Sequence, residues 1–240
     1  ADCVSRRGDV GYAARHFEQL LERCPTEYTA LERLITLLRR AGNIDAAKRY
    51  IETAKNSGSM ASYHPGMHYC HGLYLKAMCE SSEALAAFNK ARKDSKWGPK
   101  AIEEMIKIYL DPGNGGSFTD LLDSKTDMAQ QINAVEKLLD ELADIGGDRY
   151  LISVFQAYCN MATRNRTGIE ESVENLQKMI ASQDARARDF VPALVAISTG
   201  LIMLKKYGKA KNFLKRTTRP TEKQFRMFQD DILAGWLLMA

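Results

Sequence analysis

The sequence predicts an all-α fold, an α-solenoid assembled from repeated helix pairs. Proline is scarce, at 6 of 240 residues, so long helices can run without interruption. Small and bulky apolar residues also recur at a regular spacing. The scarcity of proline argues against a sandwich of many short strands, and an apolar content of 45% is sufficient for a packed core.

The recurrence is clearest near the start of the chain. The segment 16–50 reads as a helix, a turn at Pro25, a second helix, a turn at Gly42 and a third helix. Four residues recur with a shift of 34 positions: Gly8, Ala13, Phe17 and Leu20 correspond to Gly42, Ala47, Ile51 and Ala54. A helix pair that repeats every 34 residues is typical of the tetratricopeptide repeat, whose pairs stack into a right-handed superhelix.

Each repeat is predicted to place a small residue of its second helix, and a bulky residue four positions later, against the core. Residues i and i+4 share one face of a helix, which is why the two belong together. The small residues are Ala13, Ala47, Ala84, Ala134, Ser172 and Ala210, and their bulky partners are Phe17, Ile51, Phe88, Leu138, Leu176 and Leu214. Gly72, in a first helix, occupies a position of close helix approach. The sequence therefore predicts about six helix pairs, which form a single array over 1–240.

Two segments depart from this period. The spacing from Ala84 to Ala134 is 50 residues, about 16 more than one repeat requires, and Asp111-Pro112-Gly113 ends a helix there. We therefore expect a loop insertion at 111–127. An additional helix is predicted over 221–233, after Pro220. In repeat phase both chain ends fall within a helix, which predicts an internal fragment whose terminal repeats are cut.

Composition excludes several classes of protein. The net charge is only +4, whereas nucleic-acid binders usually concentrate a larger positive excess on one face, so no nucleic acid is expected. The five cysteines form no CxxC pair, which indicates a reducing compartment rather than a disulfide framework. The longest apolar stretch, 191–204, is too short to span a bilayer. We expect a soluble, intracellular protein without a transmembrane segment.

No pattern in the chain indicates catalysis. A phosphate-binding glycine loop, GxSxG, HExxH and an EF-hand loop are all absent from the sequence. We predict no enzyme activity, no small-molecule substrate and no cofactor. His68 and His71 have the i, i+3 spacing that can chelate zinc, but both fall at apolar-face positions of a repeat helix. We therefore predict no metal site.

A basic run over 205–219 is the main candidate for partner binding. It contains no acid, and its cations are Lys205, Lys206, Lys209, Lys211, Lys215, Arg216 and Arg219. Such a face could dock an acidic protein surface, or could simply be the solvated side of a helix. RNA is a third hypothesis, which would require a steep salt dependence of affinity. Residues 120–144 carry seven acids against two lysines and balance the basic run.

Three segments resemble the tetratricopeptide repeat protein 21 family, the large repeat subunit of intraflagellar transport complex A. They are 6–43 (RRGDVGYAARHFEQLLERCPTEYTALERLITLLRRAGN), 68–112 (HYCHGLYLKAMCESSEALAAFNKARKDSKWGPKAIEEMIKIYLDP) and 191–216 (VPALVAISTGLIMLKKYGKAKNFLKR). The FNKARKD stretch followed by Trp97-Gly98 is distinctive, because a generic repeat does not require it. The resemblance implies a non-catalytic scaffold for retrograde transport and ciliary cargo delivery. It also implies that the partners are other transport subunits, and that the protein is found in the cytoplasm, the cilium or flagellum and its basal body.

An alternative is a cytosolic tetratricopeptide adaptor, outside cilia, that binds an extended peptide in its concave groove. Some such adaptors clamp a terminal carboxylate with Lys and Asn, but the corresponding positions here include Glu32, Cys70 and Glu104. Clamp chemistry is therefore not expected. The groove cations that remain available to this hypothesis are Arg39, Arg40 and Lys76.

Overall fold

A computed structural model describes residues 10–58, 60–110 and 125–240, and within these ranges the regular structure consists of helices without a strand. The predicted all-α class is confirmed. The chain divides into two compact units, Ala1–Asp127 and Met128–Ala240.

Unit 1 is a succession of helices in which each packs on the next. Its helices are α1 (Val10–Arg23), α2 (Tyr28–Arg40), α3 (Ala47–Asn56), α4 (Pro65–Ala77), α5 (Ser81–Ala91) and α6 (Gly98–Leu110). Short 3₁₀ turns lie at Ile44–Ala46 and Ala61–Tyr63. The first helix of one repeat, α2, also packs on the first helix of the next, α4. This stacking of like helices is what a repeat array requires.

Two first helices of unit 1 end in the same way. After α2, Gly42 adopts φ +70° and the N–H of Asn43 donates to Leu38 O at 2.9 Å. After α4, Cys79 adopts φ +63° and the N–H of Glu80 donates to Leu75 O at 3.0 Å. Both are Schellman-type ends, in which a left-handed residue lets the chain satisfy the last helical carbonyls. The internal repeat is therefore visible in the caps as well as in the core.

Unit 2 is organised around one largely buried helix. Its helices are α7 (Lys125–Asp144, which begins at the unit boundary), α8 (Arg149–Ala162), α9 (Arg166–Ile180), α10 (Ala185–Arg188), α11 (Val191–Met203), α12 (Tyr207–Thr217), α13 (Glu222–Met227) and α14 (Gln229–Met239). Residues 191–198 of α11 are all buried, and α8, α9, α12 and α14 pack against this helix. An apolar helix covered by amphipathic ones, here α8, α9 and α12, is a usual arrangement of a helical core.

The start of α8 and the start of α10 are joined by reciprocal ion pairs. Asp148 caps α8 by accepting from the N–H of Tyr150, and its other oxygen accepts from Arg186. Asp184 caps α10 by accepting from the N–H of Arg186, and its other oxygen lies 3.5 Å from Arg149 Nη2. Each capping aspartate thus binds an arginine from the other helix, which fixes the short α10 in place.

Five of the six small residues predicted to face the core are buried: Ala13, Ala47, Ala84, Ser172 and Ala210. All six bulky partners are buried as well. The exception is Ala134, which is only half-buried. In α7 the residues turned inward are Val135, Leu138, Leu139 and Leu142. Val135, one residue later, therefore takes the core-facing place that was predicted for Ala134, and that prediction is wrong.

The segments that depart from the period are only partly described. Residues 111–124 of the predicted insertion lie outside the described residues, and 125–127 open α7. The span 221–233 contains α13 and the beginning of α14, separated at Phe228. Ala1 lies outside the described residues, and Trp236 lies within α14 with 53% of its surface exposed.

No helix in the described ranges has both the length and the apolar composition that crossing a bilayer requires.

Candidate protein-binding surfaces

The first helices of unit 1 bring opposite charges together. Lys100 of α6 places its Nζ 2.8 Å from both carboxylate oxygens of Glu32 in α2. Glu32 holds one of the positions at which a carboxylate clamp would need Lys or Asn. Here that position is occupied by an ion pair between two helices of the same unit.

Lys76, one of the three cations predicted to line a peptide groove, is also paired internally. Its Nζ lies 2.7 Å from Glu104 Oε2, and Lys107 Nζ lies 2.7 Å from Glu104 Oε1. Burial alone would raise the pKa of Glu104, but the ammonium groups of Lys107 and Lys76 outweigh that effect and lower the pKa to about 2. The carboxylate is 16% exposed. A ligand that took Lys76 away would leave a largely buried charge with one partner fewer.

Arg39 and Arg40 lie exposed in the last turn of α2. Cations at this end of a helix interact favourably with the last backbone carbonyls. That they contact a partner stays a prediction.

The Trp97-Gly98 dipeptide has a packing role at the start of α6. Trp97 is buried, and a Cβ on Gly66 would come within 2.9 Å of its indole. A Cβ on Gly98 would meet the carbonyl oxygen of Arg92 at 2.4 Å. Tyr69 packs on the indole at a ring distance of 5.2 Å. The distinctive dipeptide is thus explained by close helix packing around α4 and α6.

The histidines of the same region are integrated into the helix packing. His64 caps α4, its Nδ1 accepting from the N–H of Gly66 at 3.0 Å, and its ring stacks on Tyr28. His68 and His71 are half-buried, and burial lowers the pKa of both. Among the described residues, no group of three or more His, Cys, Asp or Glu side chains is arranged to hold a metal ion.

The basic run of unit 2 is divided by the structure into separate surfaces. Lys209, Asn212, Phe213 and Arg216 follow the i, i+3, i+4, i+7 pattern and line one groove along α12. Lys211 and Lys215 are i, i+4 neighbours outside that groove, and both are exposed. Lys205 adopts φ +59° in the link between α11 and α12. The seven cations therefore do not form one continuous patch.

Two cations of the run have partners on other helices. Lys206 Nζ lies 3.4 Å from Glu170 Oε1 of α9. Arg216 Nη2 donates to the carbonyl oxygen of Arg188 at 2.7 Å and lies 3.7 Å from Asp189 Oδ1, at the end of α10. These contacts connect the start of α12 to α9 and its last turn to the end of α10. They also hold the Arg216 guanidinium in a defined direction.

An open groove lies between α9 and α12 and has a volume of about 530 Å³. From α9 come Gln177 and Ile180, with Ala181 just beyond the helix end. The run of lysines is evident in the sequence, whereas the groove is not among the sequence-based predictions. The sequence signal that points to it is the spacing of Lys209, Phe213 and Arg216 on one face of α12. The apolar residue opposite them is Ile180, on a helix some thirty residues earlier.

The acidic segment 120–144 is only partly described. Asp120 and Asp123 lie outside the described residues. Glu136, Asp140 and Asp144 are exposed along α7.

Comparison with known families matches both units. Residues 1–110 match the model described as "TT21 fifth ARM repeats domain", and residues 134–240 match the "Tetratricopeptide repeat protein 21 C-terminal ARM domain". Between them they cover most of the chain. ARM repeats are stacked helical repeats, so the predicted α-solenoid class is confirmed.

Individual relatives are similar along most of the chain. It is 32% identical over 253 residues to Tetratricopeptide repeat protein 21B of Xenopus laevis, with 100% of this chain and 19% of that protein aligned. Identity to the human protein of the same name is 35% over 222 residues, covering 88% of this chain and 16% of the relative. The homolog from Caenorhabditis elegans is 25% identical over 223 residues, covering 90% and 17%.

The chain thus spans less than a fifth of the length of these relatives. Two separate family models, and identities above 30% along most of the sequence, agree on one assignment. The chain belongs to the tetratricopeptide repeat protein 21 family.

Proposed function

We propose that this chain is part of a non-catalytic scaffold subunit of intraflagellar transport complex A, which supports retrograde transport and the delivery of cargo to cilia through protein–protein contacts. The observation that carries the proposal is family membership over both units, since two domain models of one family match in order. The proposed partners are the other subunits of the transport complex.

The charged side chains that the helices expose to solvent support a scaffold role. Stacked helix pairs bury their apolar faces on each other and leave charged side chains at the surface. In unit 2, Lys209, Lys211 and Lys215 are exposed, and the described residues offer none of them an acidic partner within ion-pair distance. Cations presented in this way can select acidic partner surfaces and speed their association.

The adaptor hypothesis has less support. It relied on Lys76 together with Arg39 and Arg40, but Lys76 is paired with Glu104 inside unit 1. Recruiting this lysine to a peptide would require breaking a pair that is largely buried, which is costly.

Localisation of the full-length protein tests the proposal. A fluorescent tag on the full-length protein in ciliated cells should concentrate at the basal body and along the axoneme, in addition to a cytoplasmic pool. The same cells expressing the tag alone provide the control. A uniform cytosolic signal in cells that carry cilia would contradict the proposal.

A further inference from the structure

We propose that the groove between α9 and α12 binds an acidic segment of a partner protein that inserts an apolar side chain. The inference rests on the proposed scaffold function and gives the chemistry of one of its contacts. The groove lies between the second helices of two successive repeats. It is therefore distinct from the first-helix side, where tetratricopeptide arrays usually hold peptides.

The floor of the groove is apolar. Ile180 of α9 is buried at its base, and the ring of Phe213 on α12 is half-buried beside it. The volume of about 530 Å³ is open to solvent rather than enclosed. Enclosed pockets of this size suit small ligands, whereas an open groove suits side chains presented by another polypeptide.

The rim of the groove is cationic. Lys209 and Arg216 lie one on either side of Phe213 along α12, while Gln177 and Asn212 contribute neutral amides. No carboxylate lines the groove in the described part of the chain. An apolar floor between two cations is complementary to an apolar side chain flanked by acidic residues.

Lys209 and Arg216 differ in the contacts that they make within this chain. Arg216 is held by the Arg188 carbonyl and by Asp189, so its guanidinium is oriented before any partner arrives. Lys209 is exposed and has no acidic partner within ion-pair distance among the described residues. Lys209 is therefore the residue whose charge a partner can neutralise without breaking an existing contact.

The same helix supplies a matched control. Lys211 is also exposed but does not line the groove. Lys209→Glu and Lys211→Glu change the net charge equally, two residues apart on α12, while only the first alters the groove. Lys209→Arg keeps the charge and should preserve binding.

The test uses the full-length protein in ciliated cells, with p-benzoylphenylalanine in place of exposed Ala181 at the groove. After irradiation, the crosslinked segment is sequenced by mass spectrometry. We expect a protein segment that is rich in Asp and Glu around an aliphatic or aromatic residue. Its crosslinking yield should fall about tenfold with Lys209→Glu and stay within about twofold of the parent with Lys211→Glu or Lys209→Arg.

Other outcomes overturn the inference. A crosslink to RNA, to a neutral or basic segment, or to nothing would do so, as would equal loss with Lys209→Glu and Lys211→Glu. Co-purification of the transport subunits with each variant separates the two proposals. If the subunits co-purify and the expected crosslink is absent, the groove assignment is wrong and the scaffold function stands. If they do not co-purify even with the unsubstituted protein, the proposed function itself fails.

Discussion

Gly72 of α4 lies directly against the aromatic ring of Phe88 in α5, so that a Cβ added to the glycine would stand 2.6 Å from the ring atom Cε1. Phe88 is completely buried. The pair joins the two helices of one repeat at their point of closest approach. Its position confirms the sequence-based placement of Gly72.

A methyl group at Gly72 should therefore destabilise unit 1. Gly72→Ala would overpack a filled site, and we expect it to lower the free energy of unfolding by about 2 kcal/mol. Urea unfolding of the 240-residue chain, followed by circular dichroism, measures the change. Gly58→Ala is the control in the same unit, because a Cβ there meets nothing within 4 Å. Equal effects of the two substitutions would contradict the close-packing account.

The stability of unit 1 should depend on pH through Glu104. Its pKa is about 2 in the folded chain, compared with an ordinary value of 4.5. A carboxyl whose pKa is lowered by folding stabilises the fold above the unfolded value, and that contribution is lost as pH falls from about 4.5 towards 2. We expect a loss on the order of 2–3 kcal/mol across this window.

Glu104→Gln isolates this contribution. The variant should be less stable than the parent at neutral pH, because Lys76 and Lys107 lose their carboxylate partner. It should also lose less stability on acidification, so that the two unfolding curves converge near the lower end of the window. Parallel pH profiles would show that Glu104 is not the titrating group.

The ends of α2 and α4 predict substitutions of opposite sign. Gly42→Ala places a side chain at φ +70°, which costs about 1 kcal/mol although the site has open space. Cys79→Gly removes a side chain from φ +63° and should stabilise by about 0.5–1 kcal/mol. Thermal unfolding of both variants checks the pair. If Cys79→Gly is destabilising, the left-handed strain assigned to that residue is absent.

The four cysteines in the described ranges should fall into two classes of reactivity. Cys24 and Cys79 are exposed, whereas Cys70 and Cys159 are buried free thiols. Burial raises the pKa of Cys70 well above its ordinary value and that of Cys159 to about 11. Because the thiolate is the nucleophile, N-ethylmaleimide should label the exposed pair first. Peptide mass spectrometry after brief labelling of the native protein measures which cysteines are modified. Modification of Cys70 as early as that of Cys24 and Cys79 would contradict its burial.

The core of the fold could be predicted from sequence because the small and bulky positions are local signals, four residues apart on one helix face. Ala47 with Ile51 and Ala84 with Phe88 are both buried as expected. At Ala134 the pattern fails because several neighbouring apolar residues of α7 permit more than one inward register. The one that packs turns Val135 to the core.

The surfaces could be predicted only in part. The basic run is evident from its lysines, but the acidic residues that pair with surface lysines come from elsewhere in the sequence. Within the run, Lys206 pairs with Glu170, 36 residues away. In unit 1, Lys76 pairs with Glu104, 28 residues away. Such long-range pairs leave no periodic trace in a single sequence, so the internal pairing of Lys76 could not be inferred from it. The spacing of Lys209, Phe213 and Arg216 marks one face of α12, but not the helix that lies opposite that face.

The most direct test of the proposed scaffold role is the composition of the assembly that contains the full-length protein. Affinity purification of an endogenously tagged copy from ciliated cells, quantified by mass spectrometry against untagged cells, measures it. The scaffold proposal predicts that the other subunits of intraflagellar transport complex A are enriched together, in a constant ratio to the tagged protein. Recovery of the tagged protein without those subunits would contradict it.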